Sequence, residues 1–189
     1  MNIAFDIDDT LFNNHLIFDV MHRHKLDPLK VLRNFHIKNL EISKDIKNEI
    51  YQEFKSKRMY KLKPNDNAQF VIEKLLEHGH NIYLITARDK EMKDQTYEMV
   101  KKYFPGIKKE NLFYCPKGKL GKLKDLKIDF FVEDNIEAVI NLTKELDITY
   151  FVLQNDNTPH NWDIVNSKET WLNKNIIIIH DLKELLLGH

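Results

Sequence analysis

Cysteine is nearly missing from this sequence: Cys115 stands alone, so no internal disulfide can staple the fold. Net charge is missing too. Lysine plus arginine and aspartate plus glutamate each number 29, which argues against a long polyanion such as duplex nucleic acid as the partner. There is no long hydrophobic run: Ile176 to Ile179 spans four residues, far short of the roughly eighteen needed to span a bilayer. The opening MNIAFDIDD puts acids where a secretory leader would carry an apolar stretch. No membrane partner is expected, and the expected location is cytoplasmic. Internal repeats, low-complexity tracts and a flexible interdomain linker are also lacking, which leaves no sign of a repeat array or of separate domains on a tether.

What is present suits one α/β core with a modest insertion, since 189 residues are too few for two full-sized domains with independent cores. Asn2 to Phe5 reads as a buried first strand that delivers carboxylates to its end. From Leu16 to about Tyr60 the apolar spacing becomes helical, with Ile46, Ile50 and Phe54 on one face. Pro28 after Asp27, and Ser43 with Asp45, mark helix starts, so two or three short helices are expected there. A helix through Phe70, Val71, Leu75 and Leu76 then ends near Gly79, and βα alternation resumes. Strands are predicted at Asn81–Ile85, Leu112–Tyr114, Asp129–Val132 and Thr149–Leu153, with Ile176–Ile179 as a sixth, edge strand before a terminal helix from Leu182. Helices are predicted from about Lys90 to Tyr103, from Leu120 to Leu126 and from Ile136 to Leu146. The expected fold is a Rossmann-like, doubly wound, mostly parallel sheet, with residues 1–12 and 63–189 forming the core and 13–62 a small helical cap.

The chemistry gathers at strand ends. Asp6-Ile7-Asp8-Asp9-Thr10 packs three acids into four residues, and these would repel unless a cation or a shared proton held them. Magnesium is the economical choice, because it takes about six hard oxygen ligands. If the segment stays extended, Asp6 and Asp8 share one side, so one could attack phosphorus while the other handles the leaving-group proton. Alone, the pair reads equally well as a turn. Three further constellations follow successive strands in order: Thr86-Ala87-Arg88, a lysine, and Glu133-Asp134. Lys117, Lys119 and Lys122 all lie close enough to serve, and Lys119 is preferred at the start of a helix. A hydroxyl, a lysine and a divalent cation are suitable stabilisers for the negative charge spread over a transferring phosphoryl group.

In these four motifs the sequence resembles the haloacid dehalogenase (HAD) superfamily over essentially the whole chain. The resemblance implies a magnesium-dependent phosphohydrolase. In it Asp6 forms an aspartyl-phosphate, and Asp8 protonates the leaving group, then activates water and lends its backbone carbonyl to the metal. Thr86 would hydrogen-bond the phosphoryl oxygens, with Ala87 and Arg88 beside it in the substrate-binding turn. Lys119 would neutralise charge around Asp6 and the phosphate, Asp134 would hold Mg2+, and Glu133 would act at or behind the metal. A narrower resemblance rests on Lys119 to Asp134, Val152-Leu153 and Asn157-Thr158-Pro159-His160-Asn161-Trp162. These look like the bacterial nucleotidase-like branch related to 5'(3')-deoxyribonucleotidases, which implies a small phosphorylated substrate such as a (deoxy)nucleoside monophosphate. That branch often has two aspartates where this chain has Glu133-Asp134, and Thr-Ala-Arg leaves the substrate's identity open.

Several residues carry two readings. Arg88 suits either a phosphate or cap contact, or a salt bridge. The 157–162 segment is either a turn or a substrate-adjacent loop. Phe12, Asn13, His15, Phe18, Phe35, His36 and Tyr60 could face a nucleobase, although aromatics at helical spacing are more often core. His22, His24 and His36 lack a zinc pattern. Competing functions are hydrolysis of a sugar phosphate or other small metabolite, phosphotransfer as in a mutase, and non-catalytic binding of a phosphorylated ligand. The sequence leaves a homodimer open.

Overall fold

The computed structural model describes residues 1–13, 15–27, 41–55, 61–155, 158, 161, 165 and 173–187, and of residues 15–18, 54 and 55 the backbone alone. Its centre is a six-stranded parallel sheet: β1 (Asn2–Phe5), β4 (Asn81–Thr86), β5 (Leu112–Tyr114), β6 (Phe130–Glu133), β7 (Thr149–Leu153) and β8 (Ile176–Ile179), in the spatial order β5-β4-β1-β6-β7-β8. The chain winds outward from β1 in one direction through β4 and β5, then returns to add β6, β7 and β8 on the other side. That reversal at β1 opens a crevice at the carboxyl ends of the strands, the position where open parallel sheets bind ligands.

Strand alternation divides the core into two layers. Ile3, Phe5, Val132, Phe151 and Leu153 face one layer, and Ala4, Phe131, Tyr150 and Val152 face the other. The first layer is closed by α3 (Ala68–Glu77) and α4 (Lys93–Tyr103), and by Phe12, whose ring meets Phe104 edge-on at 5.4 Å and Tyr103 at 5.8 Å. The second is closed by α5 (Leu120–Asp125) and α6 (Ile136–Thr143), through Leu123, Ile136 and Val139. Such fully buried aliphatic and aromatic side chains each contribute about 1.5–3 kcal/mol relative to exposure. Phe12 is thus a core residue and not a substrate contact.

The insertion leaves and re-enters the core through a two-stranded antiparallel ribbon, β2 (Phe12–Asn13) with β3 (Lys63–Pro64), which periodicity did not predict because each strand is two residues long. Beyond it, α1 (His15–Arg23) packs on α2 (Lys44–Lys55), burying Val20, Met21 and Ile50. Ser43 receives the Ile46 N–H at the start of α2. Arg23 bridges Glu49 (2.7 Å) and Glu53 (2.9 Å), and His24 meets Glu49 at 2.6 Å, so His24 serves the helix pair. Pro28, Phe35, His36 and Tyr60 lie outside the described residues, as do the side chains of His15, Phe18 and Phe54. Among the described residues no helix is long and apolar enough to cross a membrane.

Some elements differ from expectation. The terminal helix is a 3-10 segment, Leu182–Leu186, opened by a capping box of Asp181 and Glu184 and held by i→i+3 bonds. Residues Lys90–Met92 are likewise 3-10 before α4, α5 ends at Asp125, and α6 ends at Thr143 instead of running to Leu146.

Candidate active site

β1 stops at Phe5, and the chain turns at once. Leu11 and Phe12 both donate to the Ile7 carbonyl, and Asp9 takes the left-handed conformation at φ 58°. The turn sends the two carboxylates to different partners, although both line one cavity of about 780 Å³. Asn65, buried just after β3, holds this turn by donating its side-chain amide to the carbonyls of Asp9 (2.8 Å) and Thr10 (2.9 Å) and its backbone N–H to Leu11 (2.8 Å).

Asp6 is buried next to Lys119, whose ammonium sits 2.5 Å from Asp6 Oδ1 and 2.6 Å from Glu133 Oε2. Gly118, at φ 124°, adopts the left-handed backbone just before Lys119, at the start of α5. The other two lysines are directed elsewhere: Lys117 is exposed, and Lys122 lies over the Phe113 ring and 3.5 Å from Asp125. Glu133 ends β6, and its second oxygen accepts the N–H groups of Asp134 (3.2 Å) and Asn135 (3.4 Å), so both of its oxygens are engaged. Asp134 follows, receiving the Thr10 hydroxyl at 3.2 Å.

Asp6, Glu133 and Asp134 each offer an oxygen, all within 4.8 Å of one another, and all three residues are buried. Among the described residues this group sets one ammonium against three carboxylates, an excess of acidic groups. The electrostatics register that excess: burial pushes Asp6 up to about 7 against the opposing pull of Lys119, and pushes Glu133 up to about 7 for the same reason, with Asp134 adding to it. Lys119 is raised, because the attraction of Asp6 and Glu133 outweighs its desolvation. Three buried carboxylates that offer hard oxygens within 4.8 Å of one another fit a small divalent cation such as Mg2+.

Asp8 faces a different surrounding. Its oxygens accept Arg88 Nε at 2.8 Å and Nη2 at 2.6 Å, a bidentate pair, so of the two readings of Arg88 the salt bridge is the one observed. Thr86 ends β4 and is wholly buried; its hydroxyl accepts the Arg88 N–H at 3.1 Å, and the residue itself is not among those lining the cavity, whereas Ala87 and Arg88 are. The rest of the cavity wall is more apolar, with Met92, Leu120, Ala138, Leu142 and, from the insertion, Tyr51.

In the 157–162 segment, Asn157, Pro159, His160 and Trp162 lie outside the described residues. Asn161 is buried and acts as a clip. Its oxygen accepts the Ile136 N–H at 3.1 Å, and its amide donates to the carbonyls of Asp134 and Leu153. Sequence reasoning singled out neither Asn161 nor Asn65 as a site residue, and Thr10 only as part of the motif. The two asparagines act on backbone groups, which leave no spacing signal, and Thr10 acts through its hydroxyl on Asp134.

No family profile matches the chain. It is 30% identical to a provisionally named nucleotidase of Bacillus cereus over 152 residues, covering 71% of this chain and 76% of that protein. It is 28% identical to a nucleotidase of Clostridium acetobutylicum over 178 residues, covering 87% and 91%. Among solved structures, a HAD family hydrolase from Deinococcus radiodurans, with bound phosphate and sodium, superposes with a TM-score of 0.69 at 11% identity over 97% of this chain and 92% of that one. A haloacid dehalogenase-like hydrolase from Streptococcus pneumoniae gives 0.66 at 18% identity, over 98% and 96%. Sheet order and the layout of the strand ends match the fold of these haloacid dehalogenase-like hydrolases, and the chain belongs to the nucleotidase family of the Bacillus cereus protein.

Proposed function

We propose that this protein is a haloacid dehalogenase-type phosphatase, a magnesium-dependent 5'(3')-nucleotidase that dephosphorylates (deoxy)nucleoside monophosphates through an aspartyl-phosphate on Asp6. The observation that carries the reading is the buried group of Asp6, Lys119, Glu133 and Asp134 opening onto a cavity of about 780 Å³ with a largely apolar far wall. That volume suits a nucleotide-sized ligand, with phosphate at the charged end and a base against the apolar one. Bound Mg2+ would be held by Asp6, Asp134 and the Asp8 backbone carbonyl, with Glu133 behind, and would supply charge neutralisation and orientation at the phosphate.

In the first step an Asp6 oxygen attacks phosphorus, the ester P–O bond breaks, and the departing oxygen takes a proton from Asp8. In the second, Asp8, now a carboxylate, takes a proton from water as that water attacks the phosphoryl-aspartate and releases inorganic phosphate. Lys119 holds Asp6 in place and offsets charge on the phosphoryl oxygens. Thr86, whose hydroxyl oxygen already accepts from Arg88, has one proton left to give a phosphoryl oxygen. Residues 13–62 act as the cap, bringing Tyr51 over the part of the substrate beyond phosphate and excluding water from the reaction.

The test is phosphate release from nucleoside 5'- and 3'-monophosphates, sugar phosphates and an aryl phosphate, with Mg2+ or with chelator. Nucleotides are expected to be the best substrates, with activity abolished by chelator and restored by Mg2+. A sugar phosphate as best substrate would replace the nucleotidase reading, and turnover requiring a bisphosphate activator would turn the enzyme into a mutase. Tight binding of a nucleotide without turnover would point to a binding module.

A further inference from the structure

Arg88 is a buried cation that the hydrolysis steps above do not use. Its side chain is about 4% exposed, while that of its partner Asp8 is 27% exposed toward the cavity. Three of its nitrogens are committed: Nε and Nη2 to the two oxygens of Asp8, and Nη1 to the hydroxyl of Thr96 at 3.1 Å, a wholly buried residue on α4. Its backbone N–H adds the bond to Thr86. One side chain thus ties the turn after β1, the turn after β4 and the helix α4.

An arginine beside a phosphatase cavity has two available roles. It can grip phosphate, or it can hold another group. Here the fork is filled by a carboxylate whose geometry it matches, and drawing it away toward a phosphate would break both bonds to Asp8 and the bond to Thr96, leaving the Asp8 carboxylate without its counter-charge.

We infer that Arg88 is a positioning residue for Asp8 and not a phosphate ligand, with Thr96 fixing the guanidinium in turn. The inference rests on the reading of Asp8 as the group that protonates the leaving oxygen. Each carboxylate oxygen has two lone pairs, so the bidentate pair leaves one on each for the proton exchanged with the ester oxygen or with water. The plane of the carboxylate is set by the fork, and the exposed edge of Asp8 is thereby aimed into the cavity. A lysine at this position would supply the charge as a point and lose the plane.

The consequence depends on the leaving group. A nucleoside alkoxide is a poor leaving group and needs the proton, whereas 4-nitrophenolate leaves without one. The experiment compares wild type, Arg88→Met, Arg88→Lys, Thr96→Val, Asp8→Asn and the double variant Arg88→Met/Asp8→Asn. Each is measured for kcat/KM on a nucleoside 5'-monophosphate and on 4-nitrophenyl phosphate, and for inhibition by inorganic phosphate. Arg88→Met and Arg88→Lys are expected to lose about 10²-fold on the nucleotide and less than about threefold on the aryl ester, with the inhibition constant for phosphate unchanged. Arg88→Met should cost nothing further in the Asp8→Asn background, because it acts through that residue. Should Arg88→Met fail to fold by thermal melting, Arg88→Lys and Thr96→Val carry the test, the latter with a smaller loss, again confined to the nucleotide.

Equal losses on both esters together with weaker phosphate inhibition would make Arg88 a phosphate ligand and overturn the inference. So would unchanged activity in Arg88→Met. Failure of the underlying reading looks different: Asp8→Asn would then lose no more on the nucleotide than on the aryl ester, or wild type would hydrolyse neither.

Discussion

Asp6 and Asp8 are two residues apart and share a cavity, yet their surroundings have little in common. Asp6 is buried among carboxylates with a single ammonium, and its carboxyl is pushed up to about 7 by burial. Asp8 is more open and is clasped by an arginine anchored on α4. The Lys119 side of the site is short of positive charge and suited to gathering a cation and a phosphate. The Arg88 side is already paired and suited to holding one carboxylate still. Two similar acids can thus take on unlike tasks because their neighbours differ, with the sharp turn after Phe5 doing the separating.

The largest expected effect comes from breaking the Asp6 side. Asp6→Asn should lower kcat for phosphate release by about four orders of magnitude or more, and no phosphoryl-enzyme should be trapped by rapid acid quench. Residual turnover within tenfold of wild type would remove Asp6 from the role of nucleophile. Asp8→Asn is expected to cost less, about 10²- to 10³-fold on a nucleotide, so equal defects in the two variants would erase the distinction drawn between them.

Lys119→Met probes the buried charge balance. Without the ammonium, Asp6 and Glu133 lose their shared partner, and in the metal-free protein stability should fall by about 3 kcal/mol, read by urea denaturation, with Mg2+ recovering part of it. An unchanged denaturation midpoint would mean that the carboxylates do not depend on Lys119. Asn161→Ala should weaken Mg2+ binding about tenfold, measured from the Mg2+ dependence of the melting temperature, because the loop carrying Asp134 loses its clip to the end of β7. The smallest effect is expected far from the charges. Tyr51→Ala should raise KM for nucleotides several-fold, on the order of 1 kcal/mol, and leave ribose 5-phosphate unaffected; an equal rise for both would deny Tyr51 a contact with the base.

The sheet was legible because its strands are short apolar runs bounded by turn residues, and because strand and helix periods alternate. Ile176 to Ile179 could be read as an edge strand for that reason, and it lies at the edge beside β7. The ribbon of Phe12–Asn13 with Lys63–Pro64 could not be read, since two-residue strands have no periodicity and their pairing joins positions about fifty apart. The 3-10 segment Leu182–Leu186 reads as a helix in sequence because, over five residues, 3-10 and α-helical spacing cannot be told apart.

The same division holds for the site. Local order along the chain placed carboxylates, a hydroxyl, a lysine and an acidic pair after successive strands, and parallel strands bring their carboxyl ends to one edge. That much follows from sequence, because strand direction and residue order are local properties. Which of three neighbouring lysines meets Asp6, that Arg88 clasps Asp8 while bonding Thr96, and that Asn65 and Asn161 hold the two acidic turns by their backbones were decided only by the fold. All but the Arg88–Thr96 bond are contacts between segments far apart in the chain, and all are fixed by packing and by the need of buried charges and amides for partners.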